Sequence, residues 1–131
     1  MYLTNSKRFR KVLSHLALHP FDIPFYLKNS LSTKSPLELE LPWWSLPSIR
    51  YVEKKLSSKL KVFEWGSGGS TLFLGKRFNS VTSIEHEPKW LEKVDAEIKR
   101  QSLTSVFLQL SSIDLDNQHS FEECSYFQFI E

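Results

Sequence analysis

All four glycines of the chain, Gly66, Gly68, Gly69 and Gly75, fall within ten consecutive residues. On either side stand two acids, Glu64 before the cluster and Glu85 after it, the second 19 residues beyond Gly66. Glycines gathered in this way leave bare backbone, which admits positive φ and lets a ligand approach the main chain closely. A carboxylate at the tip of a neighbouring strand can accept both hydroxyls of a ribose. Together they would grip opposite ends of a nucleoside.

Holding those groups requires a strand, a turn, a helix and a second strand. Lys61–Trp65 is a β-favouring run, and the glycines follow at once. Ser70 or Thr71 is the expected cap of a short helix through about Phe78, with its free N–H groups aimed back at the turn. Ser80–Glu85, with Val81 and Ile84 apolar, reads as the second strand. Pro88 then opens a helix to about Gln101 whose buried stripe is Leu91, Val94 and Ile98, with Glu85 and Glu87 at its positive end and Lys99 and Arg100 at its negative end. Thr104–Leu110 reads as a third strand, residues 111–120 as a polar loop, and Tyr126–Glu131 as a fourth strand. The predicted class is α/β: a Rossmann-like partial parallel sheet of about four strands with flanking helices and an N-terminal helical extension.

The run Glu64-Trp65-Gly66-Ser67-Gly68-Gly69-Ser70 resembles the first motif of class I S-adenosylmethionine-dependent methyltransferases, and Glu85 resembles their ribose-binding acid. Ser83-Ile84-Glu85-His86-Glu87 with Trp90, and the earlier Pro42-Trp43-Trp44, are similar to a bacterial branch of that family. The resemblance spans about residues 42–110 and is most specific over 62–85. It implies S-adenosylmethionine as cofactor and a small-molecule acceptor. Gly66, Ser67, Gly68 and Ser70 would cradle the methionine and ribose end, Glu64 would fix the turn and the amino group, and Glu85 would hold the ribose. Asp114, with Asp116 in reserve, would meet the adenine amino group. Catalytic and acceptor-binding groups in the family lie at and after the fourth strand, so no catalytic residue is assigned. The family's sheet continues through three further strands, which makes the chain read as the N-terminal half of a longer enzyme. The alternative is an inactive remnant serving as a structural or partner-binding module, with a homodimer through the exposed sheet edge.

Other motifs fit less well. A dinucleotide fingerprint starting at Gly66 needs glycine or alanine at position 71, which is Thr71, and this argues against a nicotinamide-binding dehydrogenase half. Gly69 to Gly75 followed by Lys76 is one residue too long for a phosphate-binding P-loop, and Arg77 replaces the magnesium-binding hydroxyl. No hydrolase elbow is present. His86 and His119 are possible bases without an evident orienting partner, and His15 and His19 read as surface or cap residues. No metal site is predicted.

The first 47 residues read as a separate region ahead of a domain at 48–131. A helix over residues 5–19 carries Phe9, Val12, Leu13 and Leu16 on one stripe, and Lys7, Arg8, Arg10 and Lys11 with no acid before Asp22. A targeting peptide or an anionic-surface contact would suit it, but a solvated face on a packing helix is the simpler reading. Five of the six prolines fall in residues 20–47, which therefore reads as an irregular arm. Within it, Leu37–Leu41 alternates like an edge strand, Trp43 and Trp44 read as a hydrophobic plug, and Pro47–Lys59 as a helix capped by Ser45. A net charge of +2 gives no case for nucleic acid, and no apolar run is long enough to cross a membrane. The single cysteine, Cys124, fits a reducing, cytoplasmic compartment.

Overall fold

The computed structural model describes residues 3–30 and 32–111. The chain divides into two compact units between Lys34 and Ser35. In the first, α1 (Leu3–Leu18) is followed by a 3₁₀ turn at Pro20–Asp22 and by α2 (Ile23–Ser30). His15 Nε2 lies 2.9 Å from Asp22 Oδ2 and ties the end of α1 to that turn.

The proline-rich arm is irregular only in part: short helical segments at Pro20–Asp22, Ile23–Ser30 and Pro36–Leu39 alternate with irregular stretches at 32–35 and 40–45. Pro20, Pro24, Pro36, Pro47 and Pro88 each stand at the first or second position of a helical segment. There the missing N–H would have had no intrahelical partner, and a fixed φ favours the first turn. In this chain proline starts helices more than it breaks them.

The second unit opens with α3 (Pro36–Leu39), where alternating leucines suggested an edge strand. Local capping overrides that alternation. Ser35 Oγ accepts from Glu38 N–H at 3.3 Å while Glu38 Oε2 accepts from Ser35 N–H at 2.7 Å, a reciprocal box that closes the turn. Glu40, left-handed at φ 54°, ends it. Next come α4 (Leu46–Lys55), capped by Ser45 as expected but ending four residues earlier than read, and β1 (Lys61–Trp65). The helix after the glycines, α5 (Gly69–Gly75), has its cap at Gly68, two residues before Ser70 and three before Thr71, and stops three short of Phe78. Then follow β2 (Ser80–Glu85), α6 (Pro88–Arg100) and β3 (Val106–Leu110).

The three strands form a parallel sheet in the order β1-β2-β3. Glu64 is in register with Ser83, and Val81 with Val106, so Glu64, Val81, Ser83, Glu85, Val106 and Leu108 share one face. On that face Leu37, Leu72, Val94 and Ile98 form a buried cluster, with Trp90, Leu103, Val106 and Leu108 packed against it. Each fully buried side chain of this size contributes about 1.5–3 kcal/mol. The chain is thus α/β with a three-stranded parallel sheet and flanking helices among the described residues. The expected fourth strand at Tyr126–Glu131, together with Asp114, Asp116, His119 and Cys124, lies outside them.

Candidate functional site

The glycine turn and Glu85 meet directly. Gly66, at φ 77°, is the turn residue that needs glycine's left-handed freedom, and its N–H donates to Ile84 O at 2.8 Å. One residue on, Ser67 donates from both its N–H and its hydroxyl to Glu85 Oε2, each at 2.8 Å. The other carboxylate oxygen, Oε1, accepts from His86 N–H at 2.9 Å and Glu87 N–H at 3.1 Å. Trp90, in the first turn of α6, donates from Nε1 to Ser67 O at 2.7 Å and ties the glycine turn to that helix.

A second carboxylate supports the same turn. Glu64 accepts from the Thr71 hydroxyl, whose oxygen in turn accepts from Gly68 N–H at 2.8 Å. Thr71 is wholly buried and relays the strand's acid to the turn's backbone. The two acids respond to burial differently. Desolvation raises the Glu64 carboxyl above its ordinary value, and hydroxyls of Thr71, Ser70 and Ser83 offset this only in part. Desolvation also pushes Glu85 upward, but donors from Ser67, Glu87 and His86 outweigh it and hold the carboxyl below its ordinary value.

The glycines separate by role. A Cβ at Gly69 would lie 2.3 Å from Pro36 O and 2.5 Å from Leu41 O, so this residue lets the α3 segment pass close to α5. A Cβ at Gly75 would lie 2.5 Å from Val106 Cγ2, on β3. Gly68 is extended, and a Cβ there would meet only Trp90 Cζ2 at 3.8 Å. Two of the four glycines thus answer to packing, and Gly66 answers to the turn.

Beside the turn is a cavity of about 230 Å³, lined by Pro36, Leu37, Leu41, Trp43 and Trp90 and by residues 67–70. Trp43 is 87% exposed at its rim, so it is not the buried plug its composition suggested. Trp44 is half exposed and meets Phe73 edge-on at 6.1 Å.

Glu64, Gly66, Ser67, Gly68, Ser70 and Glu85 come together around one turn, and Asp114 lies outside the described residues. His86 does have a neighbour to orient it, since its Nδ1 lies 3.2 Å from Glu85 Oε1. From sequence Thr71 is offered only as a helix cap and Trp90 only as part of the resemblance; neither is placed among the site residues. Thr71 had a legible signal, a hydroxyl at the third helical position, but only once the helix start is placed at Gly69. Trp90 had none, because its partner is a backbone carbonyl 23 residues away. Among the described residues no group of three His, Cys, Asp or Glu side chains could hold a metal ion. Comparison with family models, with curated proteins and with solved structures returns no match.

Proposed function

We propose that the β1–α5–β2 unit binds S-adenosylmethionine as the donor half of a methyltransferase acting on a small-molecule acceptor. One observation carries this. The bare turn after β1 and the acid at the end of the parallel strand β2 meet at Ser67, so a nucleoside on the turn would have an ionised carboxylate within reach.

The residues fit such a group on one condition. A carboxylate offers about four acceptor positions, and those of Glu85 take Ser67 N–H, Ser67 Oγ–H, His86 N–H and Glu87 N–H. Three of these donors are backbone and fixed; the Ser67 hydroxyl can rotate away. A ribose hydroxyl would take its place. Glu85, held below the ordinary carboxylate range, is ionised at neutral pH, and, buried at 3% exposure, it would accept from a ligand only once the Ser67 hydroxyl has swung aside. Trp90 and the Glu64–Thr71 relay would keep the turn's backbone in place for the rest of the ligand. The methyl-bearing sulfonium comes with the cofactor, and the protein contributes orientation.

Titration calorimetry with S-adenosylmethionine tests the assignment. The folded protein should bind it in preference to NAD, and Glu85→Ala should weaken binding by about 1.5–3 kcal/mol, roughly 10- to 150-fold. No heat at millimolar ligand would reject the assignment. That result would favour the second reading, a structural module in which Glu85 only knots the turn, for which its four protein donors already speak.

A further inference from the structure

We propose that the N-terminal unit docks on an anionic lipid surface, with the turn Pro20–Asp22 and its flanks as the inserted edge. Charge is the first ground. Residues 1–34 hold six Lys and Arg against one acid, a net +5, while residues 35–131 hold eleven against fourteen, a net −3. The one acid, Asp22, is 2% exposed and hydrogen-bonded to His15. The described surface of this unit therefore shows cations such as Arg10 and Lys11 and no carboxylate.

Exposed apolar groups are the second ground. Phe21, within the turn, is 88% exposed, and Leu18, at the end of α1, is 76% exposed; Leu13 and Leu27 are exposed as well. Large exposed apolar side chains on a unit with an excess of cations suit the boundary between headgroups and acyl chains, where the apolar groups leave water and the cations meet lipid phosphate. A nucleic acid would satisfy the cations and leave exposed leucines without benefit. No described helix is long and apolar enough to cross a membrane, so the unit would lie on the surface. From sequence the cationic helix read as a solvated packing face with no membrane partner. Burial of Asp22 and exposure of Leu18 and Phe21 change that.

The test is co-sedimentation of the full chain with vesicles of phosphatidylcholine alone and with added phosphatidylglycerol, at about 0.1 M salt. The chain should sediment with the mixed vesicles only. Arg10→Ala with Lys11→Ala should weaken partitioning by about 25-fold, near fivefold per cation. Leu18→Ser with Phe21→Ser should weaken it by at least about tenfold at unchanged charge. These side chains are exposed, and far-ultraviolet circular dichroism checks that the helices persist. If either pair unfolds the unit, the salt dependence of the wild-type chain decides instead, and partitioning should fall as salt rises towards about 1 M. Failure of the wild type to sediment with mixed vesicles overturns the proposal. So does binding that ignores both salt and the phosphatidylglycerol. Retardation of duplex DNA by the wild type, undiminished by the Leu18 and Phe21 changes and without vesicle binding, would assign the surface to nucleic acid.

Discussion

Glu64 and Glu85 stand on adjacent parallel strands and shift in opposite directions: burial raises Glu64 beyond what its hydroxyl donors offset, while at Glu85 three backbone N–H groups and the Ser67 hydroxyl outweigh burial. As pH rises through the raised Glu64 value, the folded protein gives up a proton that it holds more tightly than the unfolded chain does, and stability falls. Glu64→Gln should therefore melt higher than wild type at pH 7, with the gap closing as pH is lowered towards about 4. A lower melting temperature at pH 7 would refute this. Glu85 has the reverse sign. Its contribution is in place above the ordinary carboxylate range and is lost as pH falls through its lowered value. Glu85→Gln should cost about 1–3 kcal/mol at pH 7, since an amide cannot accept from donors on both sides, and less in acid. Denaturant titrations at the two pH values measure both. Ser67→Ala separates holding the turn from holding a ligand. Loss of one hydroxyl bond should cost about 0.5–1.5 kcal/mol of stability, yet cofactor affinity should stay level or rise, because a ribose hydroxyl no longer has to displace it.

Among the elements, the two adjacent glycines of the turn make the sharpest contrast. Gly69→Ala would drive a methyl into two carbonyl oxygens of the α3 segment, and overpacking against backbone costs about 1–3 kcal/mol. Gly68→Ala meets only the edge of Trp90 and should cost much less. Thermal melts of the two variants test this, and equal losses would count against it. The contrast also marks what the sequence could reveal. Lys61–Trp65 and Ser80–Glu85 were legible as strands to the residue, because β-favouring runs bounded by glycine and proline admit few alternatives. Gly66 was legible as a turn residue, but Gly69 and Gly75 were not separable from it: their neighbours, Pro36 and Val106, are some thirty positions away in sequence. Leu37–Leu41 misled for a related reason. Its period of two was real, but the Ser35 and Glu38 box is a local interaction that forms whatever the hydrophobic pattern suggests. Ser35→Ala should expose that dependence, at a cost of about 0.5–2 kcal/mol.

For the molecule as a whole, the two proposed activities sit in different units and should be separable. Every residue lining the cavity, every strand among the described residues and every member of the core cluster belongs to the unit that begins at Ser35. The excess positive charge belongs to the unit that precedes it. A protein comprising residues 35–131 should therefore keep its circular dichroism signature of mixed helix and sheet and bind S-adenosylmethionine as tightly as the full chain. It should no longer sediment with anionic vesicles, because it has lost the +5 unit and carries a net −3 of its own. Calorimetry and sedimentation on the same preparation read the two outcomes independently. If removing residues 1–34 also abolished cofactor binding in a still-folded protein, the nucleoside site would extend beyond the turn between β1 and α5. In that case Glu85 and the glycines would not suffice to hold the ligand.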